Sequence, residues 1–283
     1  MIWYLLLALM VATGLVGGFL GAIVGLGGAV VIVPILTLFL GVPIAYAAGA
    51  ALVSAIATSS GSASSYVMDK VSNIKIGMSL EVGTTLGAIV GSLIVAYIYS
   101  RNLSSLVFVL FGGVLLVSLY FELVHRRHEH YKAPKPDSTT RIFQMGGSYY
   151  DHALRRNVRY NGIRWHIGEA VMFFAGVISG LLGVGSGVMK VVAMDMGMRL
   201  PTKVSTSTSN FMIGVTAAAS SIVYWNFGYI QPFIAGTIAV GAIVGAYLGT
   251  KMFKRMHGRT IRMIFMVLLA LMAVQMIAKG VGL

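Results

Sequence analysis

Long apolar runs, separated by short polar or glycine-rich breaks, occupy most of this chain. Roughly 20 apolar residues in a helix span the hydrocarbon core of a bilayer. Trp3–Val24 is such a run. It meets the glycine cluster Gly25–Gly28 and continues as Ala29–Leu40, which is too short to cross alone. Pro43–Met68, Ile76–Ser100 and Leu103–Val124 follow as ordinary spans. The order then returns: Trp165–Leu182, a glycine break, Gly187–Met198, Thr202–Trp225, Pro232–Phe253 and Thr260–Ala278.

The return is a repeat in register. Gly25-Leu26-Gly27-Gly28 recurs as Gly183-Val184-Gly185-Ser186, an offset of 158 (183 minus 25). The same offset carries Pro43 to Pro201, Thr58 to Thr216 and Tyr66 to Tyr224. It also carries Gly83, Gly87 and Gly91 to Gly241, Gly245 and Gly249. An apolar chain made of two copies of one unit is the mark of a secondary transporter built from repeats. The predicted class is an all-α polytopic membrane protein of two inverted repeats, each a glycine-broken helical hairpin plus three transmembrane helices. The domains read as residues 1–124, a basic linker over 125–164, and residues 165–283.

Composition agrees with this pattern. Of 283 residues, 57% are hydrophobic and 10% charged, whereas a soluble domain carries charge at about a quarter of its positions. The first basic residue is Lys70, so the first apolar run reads as a retained membrane element and not as a cleaved signal peptide. Cysteine is absent, which excludes disulfides, thiolate catalysis and iron–sulfur ligation. The net charge of +13 is distributed as in membrane topology, not as in a nucleic-acid interface. Nine Lys or Arg and three acidic residues lie between His125 and His166, and Lys251, Lys254, Arg255, Arg259 and Arg262 crowd one loop. The positive-inside rule places both segments in the cytoplasm, in a multi-pass cell (inner) membrane protein. With Lys70, Lys75, Arg199 and Lys203 also inside, each copy changes side an odd number of times. The two copies then have opposite orientations, with both termini outside. Within the linker, residues 133–140 read as a mobile loop and Gly146–Tyr160 as a short interfacial helix.

Several residues stand out chemically. Gly27, Gly28, Gly185 and Ser186 precede short helices whose amides would face an anion, although close packing produces the same pattern. For the ladders Gly83/Gly87/Gly91 and Gly241/Gly245/Gly249, packing is the preferred reading. Lys190 lies just past the second glycine break, where the first copy has Ile32. An intramembrane lysine is expensive, and it attracts an anionic substrate or snorkels to the interface. Ser205, Thr206, Ser207, Thr208, Ser209 and Asn210 open the next helix, while Thr58, Ser59, Ser60 and Ser62 form a weaker polar patch in the first copy. Such side chains coordinate oxyanions or bond back to their own helix. Glu81, opposite Ala239 in the repeat, is either a proton-coupling group or an interfacial neighbour of Lys75. Glu122 and Glu169 read as solvated. His125, His128 and His130 are loosely spaced among arginines, so no metal site is expected. A Walker-type loop and an intramembrane catalytic constellation are both missing, so the chain reads as no enzyme and needs no cofactor.

Gly25-Leu26-Gly27-Gly28-Ala29-Val30-Val31-Ile32-Val33-Pro34 resembles the first-repeat motif of the TauE/SafE family of sulfite and organosulfur anion exporters. Ala48-Gly49-Ala50-Ala51-Leu52 is similar to that family's Ala-x-Gly-Thr-Ser-Leu stretch. Closer still are Gly183–Lys190, Pro201-Thr202-Lys203-Val204 and Thr206–Thr216 of the second copy. Ala50-Ala51 departs from the usual Thr-Ser, Val192 replaces a common proline, and the linker is unusually long and basic. The resemblance implies a permease for sulfite, sulfoacetate, sulfonates or thiosulfate, running as an exporter by alternating access, with Lys190 and the Ser205–Asn210 run at the substrate. An anion channel on the same scaffold, and a membrane anchor or signalling component acting through the basic linker, are the alternatives. The expected partners are a small anion, membrane lipids and a second copy of the chain in a homodimer, and not nucleic acid.

Overall fold

Where a backbone cannot bond to water it must bond to itself, and the apolar runs do so as helices. The computed structural model describes residues 2–25, 27–68, 71–124, 131, 133–151, 155–183, 187–256 and 258–282. In the first copy, α1 (Ile2–Val24) and α2 (Ala29–Pro34) flank the glycine break. They are followed by α3 (Ile44–Met68), α4 (Ile74–Ser100) and α5 (Ser104–Val124). The linker holds α6 (Ser138–Ile142) and strands β1 (Gly146–Asp151) and β2 (Arg156–Asn161). In the second copy, α7 (Trp165–Leu182), α8 (Gly187–Val192), α9 (Thr202–Asn226), α10 (Pro232–Arg255) and α11 (Gly258–Val281) repeat the order. Among the described residues, five helices (those beginning at Trp3, Ile44, Ile74, Trp165 and Pro232) are long and apolar enough to cross a membrane. The architecture is that of an all-α polytopic membrane protein, to which the linker adds one small β-hairpin.

The broken segments are hairpins. A continued helix would carry Ile32 roughly 20 Å beyond Gly17, yet Ile32 packs against Gly17, and Gly28 against Gly21. In the second copy, Met198 returns to lie against Gly168 near the start of α7. Gly25 and Gly183 make the turn with φ of 84° and 68°, in the left-handed region that L side chains avoid. Each returning helix ends in a π-helical turn, Ile35–Phe39 and Ala193–Gly197. The first follows Pro34 and the second follows Val192, so the wide turn does not depend on the proline.

The copies exchange partners. Gly241, Gly245 and Gly249 of α10 meet the backbones of Val11, Leu15 and Phe19 of α1. Gly83, Gly87 and Gly91 of α4 meet Glu169, Phe173 and Val177 of α7. All three steps of one ladder map onto the other by the 158 offset, and in both pairs the helices run in the same direction. An adjoining face of α4 exposes Val82, Leu86, Val90 and Tyr97, a stripe suited to lipid. Tyr66 and Tyr224 are likewise matched, donating to the carbonyls of Ala22 at 2.9 Å and Gly180 at 3.2 Å. The equivalent helices α5 and α11 pack antiparallel, with Gly112 against Ala273 and Ile277, and Gly280 against Phe108 and Val109.

The linker departs from expectation. The described residues of Gly146–Tyr160 are strand and turn, not helix. Tyr149 pairs with Val158 and Asp151 with Arg156 in an antiparallel register. Alternation explains the choice, because Tyr149 and Asp151, with Val158 and Tyr160, put their buried side chains on one strand face. That face joins Ile76, Leu80, Met172, Met198 and Val204 in a second core. Lys203 Nζ meets Asp151 Oδ1 at 2.8 Å in this contact, and Asn73 Nδ2 donates to the Tyr160 hydroxyl at 3.1 Å. Nor is 133–140 featureless, since Asp137 caps α6. Burial pushes the Asp137 carboxyl up, but hydrogen bonds from the Arg164 amide, the Thr139 hydroxyl and both donors of Thr140 outweigh it and hold the group below the usual carboxylate range. Burial also pushes the Tyr131 phenol up to about 12.

Candidate functional site

Lys190 is fully buried on α8, which rules out snorkelling to the interface. Its Nζ donates to the Thr216 hydroxyl on α9. Thr216 in turn donates to Glu81 Oε1 on α4 at 2.5 Å. Glu81 Oε2 lies 3.6 Å from Lys190 Nζ, and Thr85 donates to Oε1 at 3.2 Å. Three helices from both copies thus bring one cation, one carboxylate and one bridging hydroxyl together out of solvent. The pair is electrically neutral as a unit, which is what allows two such charges to remain buried. Glu81 therefore does not pair with Lys75, whose Nζ donates to Gln144 Oε1 instead.

The repeat-equivalent positions make the asymmetry exact in kind. Lys190, Thr216 and Glu81 map onto Ile32, Thr58 and Ala239. Neither charge has a charged counterpart at its repeat-equivalent position, and the buried Thr58 hydroxyl has no hydrogen-bond partner among the described residues. Thr216→Val is therefore expected to lower unfolding stability by about 1.5–3 kcal/mol, the range for hydrogen bonds to charged groups. Thr58→Val replaces an unpartnered hydroxyl by a methyl and is expected to be neutral or stabilising. Unfolding midpoints of the two purified variants check this contrast, and equal losses would contradict it.

The hydroxyl run divides between tasks. Ser209 Oγ lies 3.1 Å from the Gly25 carbonyl and 3.3 Å from that of Gly187, and Asn210 Nδ2 donates to the Ala22 carbonyl at 3.0 Å. Ser59 donates to the Asn210 carbonyl at 2.6 Å. Ser209 and Asn210 thus bond carbonyls of Gly25 and Ala22 left open at the end of α1, whereas Ser59 bonds a carbonyl inside α9. Ser205 donates to Asp195 at 2.6 Å, Ser207 bonds back to Val204 within its own helix, and Thr208 accepts from the Asn73 amide at 3.0 Å. Thr206 packs on Gly25, as Ala48 does on Gly183. Gly27 packs against Ala55 and Ile213, and the Gly28 amide against Gly21. Gly185 and Ser186 lie outside the described residues, as do His125, His128 and His130.

Glu169 is not solvated. It is half-buried on α7, and its Oε1 accepts from the Gly83 amide at 2.9 Å. Sequence reasoning missed Thr216 as a site residue, although its register with Thr58 was the available signal. A cavity of about 480 Å³ lies elsewhere, between α3, α9 and α10, lined by Val53, Ile222, Trp225, Ile230 and Pro232 among others. Its lining holds no ionisable group. Among the described residues no cluster of His, Asp or Glu is placed to hold a metal.

With this geometry established, known proteins give a consistent comparison. The family model described as sulfite exporter TauE/SafE matches residues 10–276. The probable membrane transporter protein YunE of Bacillus subtilis is 30% identical, over 96% of this chain and 98% of its own length. The probable membrane transporter protein YdhB of the same organism is 26% identical, over 87% and 89%. A probable membrane transporter protein of Methanocaldococcus jannaschii is 24% identical, over 96% of each chain. No solved structure matches the chain.

Proposed function

The chain belongs to the sulfite exporter TauE/SafE family of membrane transporters, and we propose that it moves small sulfur-containing oxyanions by alternating access, with Lys190 as the charge that attracts them. The observation that carries this reading is a lysine held wholly inside the bundle by a partner on another helix. An intramembrane cation of that kind serves a substrate path far more often than a fold. Ser209 and Asn210, already turned toward broken backbone on both hairpins, are the polar groups best placed to take part in the same path. Sulfite, sulfoacetate, thiosulfate and short sulfonates form the proposed substrate class, and export is the direction the family name implies.

Alternating access draws support from the antiparallel packing of α5 on α11, which is how inverted copies meet around an axis in the membrane plane. Loop charge supports a cytoplasmic linker in an inner-membrane protein. Glu81 lies 3.6 Å from Lys190, so the buried cation does not stand as a bare charge inside the bundle.

A binding screen tests the substrate class. Purified protein is heated with saturating sulfite, sulfoacetate, thiosulfate or short alkanesulfonates, and with acetate and citrate as controls. A ligand present at 100 times its Kd stabilises by about 2.7 kcal/mol, so the sulfur oxyanions are expected to raise the unfolding midpoint above the controls. A rise with the carboxylates alone would overturn the sulfur-oxyanion assignment.

A further inference from the structure

An anion that binds Lys190 must first deal with Glu81. The lysine has the Thr216 hydroxyl and the Glu81 carboxylate beside it and is otherwise enclosed. A second anion at Nζ therefore takes the place of the carboxylate, or meets it as a like charge at close range. The displaced carboxylate has poor alternatives. On its own helix, Thr85 offers one hydroxyl. From α9, Thr216 offers a neutral hydroxyl. From α7, the nearest charged group is Glu169, which sits on the amide of Gly83 and carries the same sign. Asp195, farther along the broken helix from Lys190, is engaged by Ser205. No second cation stands near Glu81 among the described residues. A buried carboxylate deprived of its counter-charge is far more stable neutral than ionised.

We propose that Glu81 is a displaceable counter-ion, which takes up one proton when the substrate anion replaces it on Lys190. The inference rests on the reading of Lys190 as the anion contact. The balance is simple. An ionised Glu81 paired with Lys190, plus one monovalent anion and one proton from the aqueous phase, becomes a protonated Glu81 and an anion paired with Lys190. The charge inside the bundle is zero before and after. Anion and proton therefore bind together and leave together, so the carrier crosses the membrane loaded or empty without moving net charge. Net export then follows only while the outward anion gradient exceeds the opposing proton gradient.

The repeat supports treating the two charges as one device. Copy equivalents of both are apolar, Ile32 for Lys190 and Ala239 for Glu81. The pair of positions that the repeat relates to Lys190 and Glu81, one in each copy, thus lacks both charges. A glutamate that served only to close helix packing would have no reason to follow a lysine on a different helix.

The test is calorimetric binding of methanesulfonate, a fully ionised anion, to the purified full chain in two buffers of different protonation enthalpy. The difference between the buffers gives the protons taken up per anion bound. Wild type is expected to take up about one proton per methanesulfonate, and Glu81→Gln less than about a fifth of one. Wild-type binding without proton uptake would overturn the counter-ion proposal and leave Lys190 as an anion site. Failure of methanesulfonate, sulfite and thiosulfate to bind at all would overturn the Lys190 reading, and this inference with it. Should Glu81→Gln not fold, the wild type alone decides in liposomes. An inward methanesulfonate gradient, with voltage clamped by potassium and valinomycin, should acidify a trapped pH dye, and anion entry without acidification overturns the proposal.

Discussion

Lys190→Met is expected to lower folding stability by roughly 3–5 kcal/mol, because it leaves the Glu81 carboxylate buried without its counter-charge. Glu81→Gln alone should also destabilise, since it leaves the Lys190 ammonium enclosed with neutral groups and no counter-charge. Together the two changes should cost much less than their sum. The double variant replaces an ion pair by a neutral pair of similar volume, and such replacements are often neutral or better. A coupling of about 0.5–3 kcal/mol in the double-mutant cycle is the expected signature of a direct interaction. Unfolding of the four purified proteins in lipid nanodiscs measures it. Additive losses would mean that the two side chains do not meet. The cycle also separates fold from function, because the double variant should fold and yet lack the charge that attracts substrate.

Gly91→Leu is the second large effect. A Cβ at Gly91 would stand 1.9 Å from the Val177 carbonyl oxygen, and helix backbone cannot move aside as a flexible side chain does. The change should force α4 away from α7, with a loss at or beyond the roughly 1–3 kcal/mol typical of overpacking. Gly113 on α5 is the control, since nothing lies within 4 Å of its added Cβ. Gly113→Ala should leave the protein intact and gain up to about 1 kcal/mol of helix propensity. Unfolding midpoint and the monodisperse fraction on gel filtration distinguish the two. A tolerated Gly91→Leu would mean that the glycine ladder is not the seam between the copies.

These two predictions draw on different degrees of legibility. The ladder could be read because glycine stands at matching positions of both copies, and so the register of Gly83, Gly87 and Gly91 with Gly241, Gly245 and Gly249 is visible in the chain. What the ladder faces could not be read. Each set packs on the first helix of the other copy, and spacing along one helix carries no information about a neighbour from the other half. The hairpins were foreseen from the short length of Ala29–Leu40 and the odd number of crossings that the loop charges require.

Lys190 could be singled out because a lone cation in an apolar run is costly. Its partner could not be found by helical spacing, since Glu81 lies on another helix and in the other copy, and the link runs through Thr216. The hydroxyl run was legible as polar but not as divided, with Ser209 and Asn210 serving the hairpin carbonyls while Ser205 serves Asp195. The β-hairpin of the linker was hidden for a further reason. Its alternation rests on only two inward residues per strand, Tyr149 with Asp151 and Val158 with Tyr160, and one of them is an aspartate that becomes buriable only by pairing with Lys203.

The central claim is that a buried lysine carries an anion through this fold. Its most direct test is the initial rate of radiolabelled sulfite and sulfoacetate entry into proteoliposomes, compared between wild type and the Lys190→Met/Glu81→Gln protein at equal reconstituted amounts. Wild-type flux should saturate with anion concentration. Loss of a buried charged contact worth about 2 kcal/mol or more predicts that the double variant falls at least about thirtyfold. A folded double variant that transports within about twofold of wild type, far inside that margin, would contradict the account.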